Sequence, residues 1–262
     1  MKRLALAGGL AAAAVLVLVV ITGQGGALTA AVPAALAAMA IVASWPPPGR
    51  AAARGRAVLL LLLLPTLLHF HAGGGRISGD GVSYYVYVRS LARDADLDFT
   101  NEYTHYGLID REDIAVPTRT GLRRSIFAVG PALVWMPFFA AGEAVARAAA
   151  LLGAAPDLSG YGPYHVNAVA LGSLLLGFAA VLLMYAVAVR HFEAGVALLA
   201  AAAVWLATFL YWYMVQQPTM SHAPSAFGAA LAVWLWDRDR ERRTPPAAPL
   251  VQPGANRGGA VD

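Results

Sequence analysis

The sequence predicts an all-α, polytopic helical membrane protein with about six membrane spans and juxtamembrane helices in an outer loop. The 262 residues are 59% hydrophobic and 13% charged, whereas soluble domains are about 45–50% apolar and about 25% charged. The excess of Ala, Leu and Val lies in long uncharged runs, and Arg residues are concentrated beside these runs. This pattern excludes a disordered chain and a basic nucleic-acid-binding domain, and it argues against a soluble enzyme.

Seven runs contain no Asp, Glu, Lys or Arg, and most approach the length of about 20 residues that a helix needs to cross about 30 Å of hydrocarbon. Two of them are short. Arg54 and Arg56 extend one by snorkelling, and the aromatic pair Trp234 and Trp236 ends the other, as in an interfacial belt. The runs are residues 4–22, 27–44, 57–72, 125–142, 164–189, 194–214 and 221–236.

Basic residues beside the runs predict the orientation, because cytoplasmic loops carry an excess of Lys and Arg. Residues 2–3, 50–56 and 238–243 are basic, so both termini are expected inside and the number of spans should be even. The run 125–142 is expected to be broken by its two prolines, Pro131 and Pro137. We therefore expect residues 125–150 to form an interfacial or re-entrant helix on the outer face, which leaves six spans. Seven spans, or a cleaved signal peptide within residues 1–30, are the alternatives.

Three regions follow from this topology, which places the chain in the cytoplasmic membrane. Residues 1–56 form an N-terminal transmembrane hairpin and a cytoplasmic loop, and residues 57–243 form a membrane module with an outer loop at 73–163. Residues 244–262 are rich in Pro, Gly and Ala and form a disordered tail. The chain has no Cys, which excludes disulfides, thiolate nucleophiles and Cys-ligated metals.

The only long polar stretch outside the tail lies between Ala72 and Ser125 and holds eight of the fifteen acidic residues. Asp80, in a Ser-Gly-Asp-Gly turn just beyond the third run, is the candidate catalytic residue. A carboxylate at the membrane boundary can act as a general base because partial desolvation raises its pKa. A turn Asp that caps the following helix is the structural alternative.

Residues 83–93 follow as a predicted short helix beside the bilayer. Tyr85 and Arg89 are its candidate ligand-binding residues, because the Arg guanidinium makes paired hydrogen bonds to phosphate oxygens. A structural interfacial helix without a ligand is the alternative.

The acidic segment Asp94–Glu102 begins like a calcium-binding loop but lacks its Gly and its closing Glu, so we reject an EF-hand. The segment still offers oxygen ligands for a divalent cation, Mg²⁺ or Mn²⁺, as a candidate cofactor. A solvated acidic turn is the alternative. His222, at the outer end of the last run, either binds substrate or caps a helix. The sequence has no HExxH, P-loop or GxSxG motif.

Several segments together carry a resemblance to a known family. With the Leu-rich run before them, they resemble the first outer loop of GT-C-type polytopic glycosyltransferases, in the bacterial branch allied to protein O-mannosyltransferases and aminoarabinose transferases. The resemblance covers about residues 57–236. The segments are Gly79-Asp80-Gly81, Tyr84-Tyr85, Arg89-Ser90-Leu91, 96–103 (Asp-Leu-Asp-Phe-Thr-Asn-Glu-Tyr) and 127–139 (Phe-Ala-Val-Gly-Pro-Ala-Leu-Val-Trp-Met-Pro-Phe-Phe).

The resemblance implies a membrane enzyme that moves a sugar from a polyprenyl-phosphate donor to an acceptor at the outer membrane face, with inversion. It implies that Asp80 deprotonates or orients the acceptor hydroxyl and that residues 126–139 are juxtamembrane. Members of the class continue for further spans, so this chain is expected to be the N-terminal part, with a partner subunit supplying the missing spans. The candidate substrate-binding residues are Tyr85, Arg89, Glu102, Arg123, Arg124 and His222, and the Arg residues among them would stabilise the departing phosphate.

A non-catalytic scaffold or a lipid-binding accessory protein with the same fold is the alternative from another functional class. Half of a transporter is disfavoured, because the runs carry almost no ionisable groups and show no repeat symmetry.

Overall fold

The computed structural model describes residues 49–73 and 76–243, and within them the chain is mostly helical, as predicted. One small hairpin pairs β1 (Val116–Pro117) antiparallel with β2 (Arg123–Arg124). The eight helices of this part of the chain are α1 (Arg50–Gly73), α2 (Asp80–Arg93), α3 (Thr100–His105), α4 (Gly130–Leu151), α5 (Pro163–His191), α6 (Ala194–Leu206), α7 (Phe209–Val215) and α8 (His222–Arg243).

Two helices are long and apolar enough to cross a membrane, namely residues 50–72 of α1 and all of α5. Helices α6 and α7 meet at an angle of 57° and make a third crossing if they form one broken span. The described residues therefore hold fewer spans than the six predicted. In α8 the charges that begin at Asp237 leave an apolar part shorter than the about 20 residues required. The predicted runs 4–22 and 27–44 and the predicted tail 244–262 lie outside the described residues.

The helices that pack on α5 define the two ends of the bundle. Near one end, the Tyr185 hydroxyl donates to the carbonyl oxygen of Ala52 at 3.1 Å, so α1 runs antiparallel to α5. The His191 ring lies 2.9 Å from an oxygen of Asp237, so α8 ends beside the end of α5. Residues 50–56, 190–191 and 237–243 therefore share one end, which we call the basic end. The opposite end is called the Asp80 end.

The bundle core lies between α1, α5 and the α6–α7 pair. Leu59, Leu174, Trp205 and Met214 are completely buried there. Gly177 allows close packing of α5, because a Cβ atom at this position would lie 2.6 Å from Met214 Cγ. Small residues at helix crossings are the usual means of bringing membrane helices together, since packing rather than hydrophobicity drives their association in lipid.

Helix α4 corrects the expectation that proline breaks the run 125–142. The helix continues through Pro137, and Pro131 lies in the first turn, where no backbone hydrogen bond is lost. It packs antiparallel on the first half of α5, where the Trp135 indole donates to Ser173 Oγ at 2.7 Å. It is not among the helices that qualify as spans, and its Ala-rich second half carries the charged residues Glu143 and Arg147.

Residues 76–162, which we call the polar module, surround the Asp80 end of α5. Helix α2 lies against α4, and its Tyr85 and Val88 pack with Trp135 and Phe139. A second small core joins α2 to α3 and the hairpin through Val86, Phe99 and Tyr103, all essentially buried. The predicted helix at residues 83–93 is present as most of α2.

Candidate functional site

Asp80 is the first residue of α2 and its side chain is exposed. The preceding Gly79 occupies the N-cap position with φ of +55°, a left-handed conformation that favours glycine. Asp80 therefore does not cap α2 itself. Its carboxylate lies in the first turn, where the helix dipole favours a negative charge. Within the described residues the Asp80 side chain makes no hydrogen bond or ion pair.

A polar cavity of about 350 Å³ opens beside the segment that leads into Asp80. The last turns of α1 and α7 form two of its walls, and residues 76–78 form the third. Its chemically functional lining residues are a guanidinium, a hydroxyl, an indole and two amides, from Arg76, Ser78, Trp212, Gln216 and Gln217.

The loop that joins α7 to α8 is fixed against this segment. The Thr219 hydroxyl donates to the carbonyl oxygen of Arg76 at 3.3 Å, and the Ser221 hydroxyl donates to the Tyr84 hydroxyl at 3.0 Å. Gly81 permits the contact, because a Cβ atom there would collide with the Thr219 side chain. The two parts of the chain that supply the cavity walls are therefore held together next to Asp80.

A larger apolar cavity of about 720 Å³ lies between α5, the α6–α7 pair and α8. His222 and Tyr213 line it at the Asp80 end, with ring centroids 3.7 Å apart. His191 and Phe192 line it toward the basic end. The predicted substrate-binding residue His222 thus faces the apolar cavity and is not among the residues that line the polar one.

Three other predicted site residues are brought together inside the polar module. Arg89 Nη1 donates to Glu102 Oε1 at 2.9 Å and also pairs with Asp94. The Tyr85 hydroxyl donates to the carbonyl oxygen of Gly160 at 2.6 Å. The Arg89 guanidinium lies over the Tyr161 ring, 4.7 Å from its centroid. These contacts tie α2 to α3 and to the segment before α5.

Burial dominates the electrostatics of this cluster. Glu102 is completely buried, and burial raises the pKa of its carboxyl group despite the opposing hydrogen bond from Arg89. Burial raises the pKa of Tyr106 and of Tyr161 as well, the latter to about 12. For Arg89, burial is the largest single effect and lowers the guanidinium pKa, but the hydrogen bond to Glu102 and the charges of Tyr161, Glu102 and Asp94 together raise it above its usual value. The cluster therefore contains a compensated charge pair within low-dielectric surroundings.

Glu143 joins α4 to α2 and α5 in a second ionic group. Its carboxylate pairs with Arg93, with Arg147 at 2.6 Å and with the completely buried His165 at 2.7 Å. Burial alone would raise the Glu143 pKa, but the hydrogen bonds from His165 and Arg147 and the charge of Arg93 lower it below its usual value. This group fixes the second half of α4 in place.

Arg123 and Arg124 lie on β2 and belong to the hairpin. Arg123 Nη1 donates to the carbonyl oxygen of Ala115 at 2.8 Å, and its backbone N–H donates to Asp98 at 3.1 Å. The hydrogen bond from the Thr100 side chain has the largest effect in lowering the pKa of Asp98, and the hydrogen bond from the Arg123 backbone lowers it further. The side chain of Arg124 is exposed. Neither Arg lines the cavity beside Asp80.

Within the described residues, no group of three or more His, Asp or Glu side chains is placed to hold a metal ion. The divalent cation that the sequence left open therefore has no such group of ligands in this part of the chain.

No protein-family model, no curated protein and no solved structure matches the chain. The resemblance to GT-C glycosyltransferases therefore stays a prediction, and the assignment of function depends on the geometry of the site.

The cavity residues Arg76, Trp212 and Gln217 were not among the predicted site residues. Arg76 precedes Asp80 by four residues, and the adjacent amides Gln216 and Gln217 end an otherwise apolar run. Polar side chains at the end of an apolar run, on the same side as the candidate acid, are the pattern that would have indicated them. Only the fold shows that residues 140 positions apart face one cavity.

Proposed function

We propose that the chain is a membrane glycosyltransferase, or the N-terminal part of one, in which Asp80 acts on an acceptor hydroxyl at the outer face of the cytoplasmic membrane. The observation that carries the proposal is the exposed Asp80 carboxylate, two residues after Ser78, which lines a polar cavity together with Arg76 and Trp212. A general base, a phosphate-binding cation and an aromatic surface for a sugar are the groups that sugar transfer from a phosphate donor requires.

The depth of Asp80 in the bilayer supports this assignment. The 29 residues of α5 are about 43 Å long at 1.5 Å per residue, which exceeds about 30 Å of hydrocarbon. With Arg190 in one headgroup layer, the other boundary lies about 20 residues earlier, near residue 170. Gly177 of α5 packs against Ala223 of α8. Ala223 follows Thr219 by four residues, and Thr219 packs against Gly81, the residue after Asp80. Asp80 therefore lies close to that second boundary.

The distribution of charge gives the side of the membrane. Arg residues near residues 50–56, 190 and 238–243 share the basic end, and basic segments face the cytoplasm. The Asp80 end then faces outward, where it meets a lipid-borne donor and a water-borne acceptor.

The apolar cavity supports a lipid-linked donor. It extends from His222 toward His191, along the part of α5 that lies within the hydrocarbon, and so fits a prenyl chain. The loop that follows α7 contributes Gln216 and Gln217 to the polar cavity, so tail and sugar phosphate would occupy neighbouring sites.

In the proposed reaction, the acceptor oxygen attacks the anomeric carbon while the bond to the phosphate oxygen breaks with its electron pair. Asp80 accepts the acceptor proton, and Arg76 balances the negative charge that develops on the departing phosphate. We assign this role to Arg76 because Arg89 and Arg123 are held in hydrogen bonds within the polar module.

The test is sugar transfer by the full chain, with Asp80→Asn and Arg76→Gln compared with matched controls. Membranes from the native host would be supplied with a polyprenyl-phosphate hexose labelled in the sugar. We expect Asp80→Asn to abolish transfer and Arg76→Gln to lower it at least 100-fold, as for other electrostatic groups at a reacting centre. The exposed controls Asp110→Asn and Arg119→Gln should transfer normally, and all four should insert equally. A fully active Asp80→Asn variant would refute the proposal.

A lipid-binding accessory protein is the second candidate. The observation that favours it is the closed structure around Glu102, where Tyr85 and Arg89 are used in internal contacts rather than directed at a ligand. Such a protein would bind the glycosyl phosphate without consuming it, and transfer in its presence would not depend on Asp80.

A further inference from the structure

The outer end of α1 carries a hydrogen-bonded chain that reaches the polar cavity. His69 Nδ1 lies 2.9 Å from the Tyr211 hydroxyl, and His69 Nε2 lies 2.8 Å from the amide nitrogen of Gln216. Both ring nitrogens of His69 thus have partners, one on each side of the ring. Gln216 in turn lines the cavity that contains Arg76 and Trp212.

The donors and acceptors of this chain can be assigned from their chemistry. An amide nitrogen only donates, so Nε2 of His69 must accept from Gln216 and carry no proton. In the neutral ring the proton is then on Nδ1, which donates to the Tyr211 hydroxyl oxygen. The Gln216 amide is consequently oriented with its nitrogen on His69 and its carbonyl oxygen, Oε1, directed away from the ring.

We propose that His69 is a positioning residue that fixes Gln216 so that Oε1 accepts a hydrogen bond from a sugar hydroxyl in the polar cavity. Within the described residues, Oε1 has no hydrogen-bond partner of its own. The ligand class is a glycosyl phosphate, with the phosphate on Arg76 and the sugar between Trp212 and Gln216. This inference rests on the proposed function for the identity of the ligand, but not for its test.

The alternative orientation explains why His69 is needed. Without His69, the Gln216 side chain loses the partner that holds its amide in place. Oε1 is then no longer kept at the position from which it accepts from the sugar hydroxyl, and that hydrogen bond is lost. His69 acts through Gln216 and touches no ligand, so removing it should weaken recognition of the sugar and leave recognition of the phosphate unchanged.

The experiment measures equilibrium binding to the full chain in lipid nanodiscs. Three probes are used: inorganic phosphate, a free hexose 1-phosphate and a short-chain prenyl-phosphate hexose. We expect His69→Phe to weaken both hexose probes about five- to tenfold, the value of one hydrogen bond, with phosphate binding unchanged. Arg76→Gln should weaken all three. Preference for the prenyl-linked probe over the free one identifies the lipid-borne form as the natural source.

A double-mutant cycle distinguishes positioning from a general structural effect. Gln216→Ala should produce the same loss for the hexose probes, and adding His69→Phe should cause no further loss. His69→Gln, which keeps an acceptor near the Nε2 position, should recover part of the affinity.

Four results would each overturn the inference. His69→Phe could weaken phosphate and hexose probes equally or leave hexose binding unchanged. The losses in the cycle could be fully additive, or the unsubstituted chain could fail to bind the hexose probes. The exposed control Asp110→Asn, which lies outside the proposed site, should bind all three probes normally. If binding follows these expectations but the chain transfers no sugar, the proposed function fails while the positioning role of His69 stands.

Discussion

The buried pair of Arg89 and Glu102 gives the sharpest prediction about the stability of the polar module. Glu102 is fully buried, and the side chain of Arg89 is only 11% exposed. The change Glu102→Ala leaves the guanidinium buried without this partner, a type of substitution that costs about 3–5 kcal/mol. Arg89 keeps Asp94 and the carbonyl oxygen of Ser159, so we expect the lower value, about 3 kcal/mol. For a chain of this size that corresponds to a fall of about 6–12 °C in Tm.

The measurement is thermal unfolding of the full chain in detergent micelles, with hydrogen exchange to locate the effect. Exchange should accelerate in α2, in α3 and near residue 160, the elements that Arg89 joins. Glu102→Gln keeps the side-chain volume and an acceptor for Arg89, and should lose less than half as much stability. The control is Asp113→Ala, which removes an ion pair with Arg111 at the surface and should leave Tm unchanged. A Tm for Glu102→Ala within about 1 °C of the parent would refute the reasoning.

Three further predictions concern α4 and its contacts. The change Trp135→Phe removes the indole donor from buried Ser173 and should cost about 1–3 kcal/mol, measured by chemical unfolding in micelles. Gly142→Val should weaken the α4–α5 contact by about 1–3 kcal/mol, because even a Cβ atom would lie 2.6 Å from the Tyr164 carbonyl oxygen. The control Gly195→Ala meets no atom and should be neutral or stabilising. The lowered pKa of Glu143 contributes stability that is present above its ordinary value of 4.5 and is lost as the pH falls through the folded value; Glu143→Gln should flatten the acid side of a stability profile, and an unchanged slope would contradict this.

The helices were predictable from the sequence because uncharged runs and proline positions depend on local chemistry. The run 164–189 lies within α5, and residues 83–93 within α2. The continuity of α4 was missed because a proline inside a run predicts the end of a helix when only the local sequence is considered. In the structure the helix continues through Pro137, and the turns on either side of it pack on α5. Within the described residues, the last predicted run does not qualify as a span, because run length alone ignores the charges that follow Trp236.

The candidate site was predictable only in part. Asp80 was indicated by its glycine turn beside an apolar run, which is local information. The grouping of Arg89 with Glu102, thirteen residues apart, depends on how α2 and α3 pack, and no periodicity encodes it. The cavity that joins Arg76 to Gln216 depends on the antiparallel pairing of distant helices, which a single sequence does not display.

The location of Asp80 is tested most directly by labelling a single cysteine, which this chain permits because it has no Cys of its own. The variant Asp80→Cys would be treated with a membrane-impermeant maleimide in intact cells, and Arg54→Cys would serve as the partner variant at the basic end. We expect position 80 to react in intact cells and position 54 to react only after the membrane is permeabilised. Reaction at position 80 only after permeabilisation would contradict the account.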